Sequence, residues 1–269
     1  LTVALSLAPL AAAAPAAPLV AISLTGGVYT QDFNTLASSG TSSTTPPGWT
    51  FVESGSSANA TYTAGTGSGN TGDTYSFGAT SSTERAFGGL LSGNLTPTIG
   101  VEFQNNTGAA IISLAISYNC EQWRLGTTGR TDRLDFQYSL NATSLSTGTW
   151  VDVDALDCSG VLSTGAVGAL DGNTNRAAVV GSITGLNLAN AAGFWLRWND
   201  FNASNADDGL AVDDFSLTPT TGSGDTPPTV TTTNPANGAT NVAVSSNITI
   251  DFSESVDVTA NAFTLECPT

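Results

Sequence analysis

From Val28 to Leu217 the chain runs in short segments of alternating apolar and polar residues, each closed by a cluster of Gly, Asn, Ser or Thr. Thr98-Ile99-Gly100-Val101-Glu102-Phe103, Ile112-Ser113-Leu114-Ala115-Ile116-Ser117-Tyr118, Leu134-Asp135-Phe136-Gln137-Tyr138 and Phe194-Trp195-Leu196-Arg197-Trp198 are examples. A period of two sends successive side chains to opposite faces of a strand, so each run has one face for a core and one for solvent. No window outside residues 1–24 holds a helical period. Runs of this number and length predict an all-β fold, a two-sheet sandwich of jelly-roll type over residues 28–218. Hydrophobic residues are 40 % of the chain, with five Trp and eleven Phe, enough to fill its core.

Charge then narrows the partners. Six cations, all of them arginine, face 22 Asp and Glu, for a net charge of −16. A field of that sign repels nucleic-acid backbones and anionic lipid headgroups. The chain has no histidine and no lysine. It therefore has no Ser-His-Asp or Cys-His pair, no histidine metal ligand, no Schiff base and no phosphate-loop lysine. Catalysis, if any, would be carboxylate chemistry.

Residues 1–24 carry no charge, are broken by three prolines and end in small residues such as Ala14-Pro15-Ala16, the pattern of part of a secretory signal peptide. That predicts a secreted, extracellular or cell-surface protein with no membrane insertion once the signal is removed. In such a compartment Cys120 and Cys158 are free to pair, which would leave Cys267 odd, but spacing alone does not decide the pairing. Residues 219–228 mix Gly, Ser and Pro without an apolar anchor and read as a linker. Residues 229–269 begin a second β module that stops well short of the roughly 100 residues of an Ig-like sandwich, so the sequence reads as a fragment of a longer protein.

Two resemblances can be attached to residues. Asn234-Pro235-Ala236-Asn237-Gly238-Ala239-Thr240-Asn241-Val242 followed by Ile250-Asp251-Phe252-Ser253-Glu254 resembles the bacterial Ig-like domain of S-layer proteins. Gln31-Asp32-Phe33-Asn34, Ser82-Thr83-Glu84-Arg85-Ala86-Phe87-Gly88, Glu121-Gln122-Trp123-Arg124 and Gly209-Leu210-Ala211-Val212-Asp213-Asp214-Phe215 resemble a lectin-like, carbohydrate-binding-type jelly-roll module of bacterial secreted proteins. The pairing is similar to the N-terminal region of large secreted multidomain proteins, extracellular endonucleases among them. Their catalytic domain has no counterpart in this sequence.

Counted by twos, Asp213 is in phase with Ala211, Phe215 and Leu217 and points toward the core. A buried carboxylate needs a cation, an arginine or several N–H donors. The jelly-roll resemblance implies a structural Ca²⁺ held by the last strand against the first, with Asp32, Asn34 and Asp213 as candidate ligands and Gln31 a further oxygen donor. Held by protein donors alone, Asp213 needs no metal.

The remaining polar set is Glu84, Arg85, Glu121, Arg124, Arg197 and Asp200. These residues read either as internal ion pairs or as the polar floor of a glycan site flanked by Trp123, Trp150 or Trp198, since sugar sites combine aromatic walls with few convergent polar groups. Trp195 and Trp198 lie three apart, so one of them is expected outside the core or under a loop. The acidic runs Asp152-Val153-Asp154 with Asp157, and Asp207-Asp208, lack an EF-hand pattern and read as solvated turns. The leading expectation is a non-catalytic module for a polysaccharide or cell-surface glycan. A structural spacer ahead of a nuclease or hydrolase, and a carboxylate-based glycoside hydrolase, are the alternatives.

Overall fold

The computed structural model describes residues 20–222 and 228–257. The chain divides into two compact units, Leu1–Gly222 and Ser223–Thr269. The first is all-β, two sheets packed face to face. The front sheet has the order Ile22–Leu24, Thr96–Asn105, Gly193–Asp200, Arg133–Ser139, Val151–Asp152, with Trp49–Ser54 also on Thr96–Asn105 and Cys158–Ser159 on Arg133–Ser139. The back sheet has the order Gly168–Ala169, Ile111–Leu125, Gly209–Thr221, Ala86–Leu90, Asp73–Phe77, Tyr62–Gly65, Thr41–Ser42. Arg176–Leu188 pairs with Ile111–Leu125, and Tyr29–Gln31 with Gly209–Thr221. Most neighbours are antiparallel, as alternating runs joined by short turns require.

Between the sheets lies an aromatic core centred on Trp198. Its ring stacks on Trp49 at 5.7 Å and meets Tyr118, Phe136 and Phe215 edge to face. Cys120 and Cys158 form a disulfide that ties the back-sheet strand Ile111–Leu125 to the front-sheet strand Cys158–Ser159. Among the described residues the helical content is one 3-10 turn, Asp154–Leu156, and no helix is long and apolar enough to cross a membrane.

Tyr29–Gln31, near the start of the sandwich, pairs antiparallel with its last strand, Gly209–Thr221. Two boundaries differ from the sequence reading. Ile22–Leu24 pairs in parallel with Phe103 to Asn105, and Leu24 is buried, so the sandwich begins inside the stretch read as signal peptide. The residues before 20 lie outside the described ones. The strand Gly209–Thr221 runs three residues into the expected linker, because Phe215, Leu217 and Pro219 continue one buried alternation, while residues 223–227 lie outside the description. In the second unit Val230–Asn234 pairs antiparallel with Thr249–Phe252, and residues 258–269 are not described.

Candidate functional site

The strand Gly209–Thr221 does not keep one phase. Asp214 adopts a left-handed φ of 49°, and the register with Ile111–Leu125 shifts between Asp213 and Ser216. This is a β-bulge, which adds a residue and reverses the alternation. Leu210 and Val212 before it and Phe215 and Leu217 after it all face the inter-sheet core. Ala211 belongs instead to a second apolar cluster with Tyr75, Phe77, Ala86, Leu90 and Trp123, on the outer face of the back sheet. Asp213 shares that outer face, which corrects the expectation that it points at the core with Phe215 and Leu217.

There it meets two residues assigned by sequence to a sugar floor. Glu84, Glu121 and Asp213 bring one oxygen each to within 4.8 Å of the others. Glu121 is 0 % and Asp213 4 % exposed. Trp123 Nε1 donates to Glu121 Oε2 (2.9 Å) and Asn173 Nδ2 to Glu84 Oε2 (2.8 Å). Burial, with the neighbouring carboxylates adding to it, pushes Glu121 up to about 7 and Asp213 up to about 8. Of the expected first-strand ligands, Asp32 is not in this carboxylate group. Asp32 Oδ1 accepts from the Asn34 amide (3.2 Å), and Asn34 Oδ1 accepts from the Arg85 amide (2.9 Å). Asp32 lines a shallow hollow with Thr30, Gln31, Asp214 and Phe215, so its acidic companion is Asp214.

The arginines mostly hold backbone. Arg85 is buried and gives its guanidinium to Ser76 Oγ, to the Ser76 carbonyl and to the Gly65 carbonyl. Arg124 donates to the carbonyls of Gly67 and Ser68. The one ion pair at the triad comes from Arg176, whose Nη1 is 3.7 Å from Glu121 Oε1. Trp123, bonded to Glu121, is itself buried and so presents no open stacking face at the sugar floor expected of Glu84, Glu121 and Arg124.

Asp200 is likewise no surface group. It is 2 % exposed, and burial, reinforced by Asp132 and Asp207, pushes its pKa well above the ordinary value. Asp207 and Asp208, read as a solvated turn, are buried too. Asp208 accepts from the Gly126 amide (2.7 Å) and Gln122 Nε2 (2.8 Å), and Asp207 from the Ala203 amide (2.9 Å). Arg130 Nη1 lies 3.2 Å from Asp132 beside them. In the other acidic run Asp157 accepts from the Phe136 amide (2.8 Å), and burial pushes it up to about 6.

Two of the three candidate stacking tryptophans are closed off. Trp123 and Trp198 are each 1 % exposed, the first under the back-face cluster and the second in the core. Of the five tryptophans, all within the described residues, only Trp150 is not buried. The Arg197 guanidinium sits 3.9 Å from its ring centroid, and its Nε1 donates to the Thr147 carbonyl (2.8 Å). Arg197 is fixed in turn by Gln137 Oε1 and the Leu145 carbonyl, both at 2.6 Å.

These contacts describe a loop, residues 140–150, laid across the outer face of the front sheet. Gly100 makes room for it, because a Cβ there would stand 2.5 Å from Leu145 Cδ2. Trp195, 4 % exposed, lies beneath this loop, which is how it and Trp198 are both buried on opposite faces of one strand. Between loop and sheet is an open hollow of about 520 Å³ lined by Thr50, Phe51, Val52, Glu102, Thr143, Ser144, Leu145, Ser146 and Trp195. Glu102 faces Trp195 across the ladder, and burial raises its pKa. Glu102 is not among the candidates read from sequence, although it is the lone charge on the outward phase of Thr98-Ile99-Gly100-Val101-Glu102.

Residues 224–266 match the family model of the bacterial Ig-like domain, which overlaps most of the segment 229–269 read as the second module. No curated protein matches the chain. Among solved structures, the enzymatically active domain of tailspike protein 4 of bacteriophage CBA120 is similar at 10 % identity and a TM-score of 0.34, over 64 % of this chain and 19 % of that one. The CBM22-1 xylan-binding domain of Paenibacillus barcinonensis Xyn10C is similar at 11 % identity and a TM-score of 0.35, over 74 % of this chain and 97 % of that one. A CBM61 module in complex with β-1,4-galactotriose has 11 % identity and a TM-score of 0.29, over 52 % of this chain and 74 % of that one. At such scores the fold rests on the strand order itself.

Proposed function

We propose that residues 20–222 form a non-catalytic glycan-binding module of a larger extracellular protein, with its site on the outer face of the front sheet. The hollow beside residues 143–146 carries this reading. Its apolar surface is Val52, Leu145 and Trp195, its rim is hydroxyls (Thr50, Thr143, Ser144, Ser146), and one carboxylate, Glu102, reaches it, while the Phe51 ring turns inward onto Tyr62 and Phe87. A sugar presents C–H faces to the first and hydroxyl donors to the others. No cation lines the hollow, which suits a neutral polysaccharide better than an acidic one. Trp150, held on Arg197 at the other side of the loop, offers a second aromatic surface. A spacer role is the second reading, favoured by the Ig-like segment that follows. In either role the module would hold a downstream nuclease or hydrolase at a surface.

The test is affinity electrophoresis of the whole chain against a panel of neutral and acidic polysaccharides at low and high salt. Binding to a neutral glycan should be nearly unchanged by salt, and Glu102→Ala should weaken it about tenfold, the scale of one hydrogen bond to a charged group. Absence of binding to every polysaccharide at high protein concentration favours the spacer. Retention by DNA that falls steeply with salt would show the charge argument to be wrong.

A further inference from the structure

The hollow on the front sheet leaves the opposite face unexplained. A carboxylate removed from water must recover its solvation from donors or from a cation. The triad does so only by half. Glu84 Oε2 and Glu121 Oε2 each accept one hydrogen bond, but the partner oxygens Glu84 Oε1 and Glu121 Oε1, with Asp213 Oδ1, are buried and accept none. Against three carboxylates stands one guanidinium, Arg176, at 3.7 Å from Glu121 with its side chain 42 % exposed. Arg85, the neighbour of Glu84 in sequence, is turned away onto Ser76.

We infer that the carboxylates of Glu84, Glu121 and Asp213 form a binding site for one divalent cation of the hard, oxygen-preferring class, Ca²⁺ first among them. Their oxygens all lie within 4.8 Å of one another, close enough for one ion to bridge them, and an all-carboxylate set drawn from three separate segments suits the flexible oxygen coordination of Ca²⁺. Two positive charges leave one negative charge over, which Arg176 faces. This donor set shares Asp213 with the first-strand set suggested by sequence, but its other carboxylates are Glu84 and Glu121 in place of Asp32. The site joins two strands of the back sheet, Ile111–Leu125 and Gly209–Thr221, to the segment entering Ala86–Leu90. Through Asn173 it also fastens the turn at residues 171–175, where a Cβ on Gly172 would stand 2.3 Å from the Trp123 ring. The ion would therefore pin the cover of the back-face cluster.

Trp123 supplies the readout, because its indole nitrogen is 2.9 Å from Glu121 Oε2. Chelator-treated, dialysed whole chain is titrated with Tb³⁺ under indole excitation, and separately with Ca²⁺ while thermal unfolding is followed. We expect sensitised emission saturating at one ion per chain, competition by Ca²⁺, and a melting temperature that climbs with Ca²⁺ concentration, since a ligand of the native state alone adds stability by mass action. Glu84→Gln should weaken binding at least about tenfold, as loss of even an outer partner of a metal ligand does. Glu84 is only half-buried, so this variant keeps the test open if Glu121→Gln or Asp213→Asn fails to fold. Asp32→Asn should bind as the parent does. Folded protein without sensitised emission, Glu84→Gln binding like the parent, or loss of binding in Asp32→Asn would each overturn the assignment.

Discussion

The two outer faces of the sandwich start from the same alternation of residues and end in opposite conditions. On the front sheet, residues 140–150 cross the face and touch it through Leu145 and Arg197, leaving a hollow beside them. On the back sheet, Tyr75, Phe77, Leu90 and Trp123 fill the face as a second small core, and Gly172 lets a turn close over it. A tryptophan on the back face is thus structural, while one on the front face borders a hollow. A carboxylate on the back face is starved of donors, while Glu102 on the front face borders open space. The faces differ in what covers them, and the cover comes from distant loops.

The largest effect that would test this contrast is loss of the back-face aromatic. Trp123→Ala should cost about 3–5 kcal/mol in chemical denaturation, the range for truncating a buried tryptophan. A loss below about 1 kcal/mol, an ordinary surface effect, would mean that the back face is not a core.

A smaller effect concerns the sealed acids between the faces. Asp200 is pushed well above the ordinary carboxylate range by burial and by Asp132, Asp207 and Asp208, with Arg130 paired to Asp132 and Asp208. The folded chain therefore keeps a proton on Asp200 that the unfolded chain releases above about pH 4. The sign follows from that difference: this contribution is full below the unfolded value and is lost as pH rises toward the folded one. Asp73, Asp157 and Asp207, each raised to about 6 mainly by burial, act in the same direction between about pH 4 and 6. The melting temperature should be several degrees higher at pH 5 than at pH 8, and Asp200→Asn should flatten part of that slope. An unchanged slope in Asp200→Asn would show that the carboxyl is ionised in the fold across this range.

The smallest effect on stability belongs to the front face. Trp150→Ala removes a partly buried ring and its contact with Arg197, worth about 1 kcal/mol. The same variant should weaken polysaccharide retention measurably. Unchanged retention would confine the glycan site to the hollow lined by Glu102.

How much of this was legible in advance depends on the range of the interaction. The alternating runs announced strands, and Ile111–Leu125, Arg133–Ser139, Gly193–Asp200 and Gly209–Thr221 lie where those runs stand. Asp213 shows where counting fails. A single left-handed residue, Asp214, reverses the phase, and nothing in Val212-Asp213-Asp214-Phe215 marks which of its two aspartates takes that conformation. The pairing of Cys120 with Cys158 was open for a similar reason. Their Cα atoms are 5.1 Å apart because two sheets meet, and 38 residues of separation carry no such information. Trp123 and Trp198 were misplaced because phase gives the side of a sheet, while burial depends on what lies above that side.

By itself, then, the sequence determined the period-two strands, the repulsive charge and the chemistries barred by the lack of histidine and lysine, since these are local or compositional properties. Only the tertiary structure decided which residues meet. Glu84, Glu121 and Asp213 come from three segments far apart in the chain, and their shared loss of water is a property of the packed back sheet. The hollow beside Glu102 exists because a loop some 40 residues downstream in sequence comes to rest on Gly100. Such contacts are long-range, and short-range patterns of hydrophobicity do not encode them.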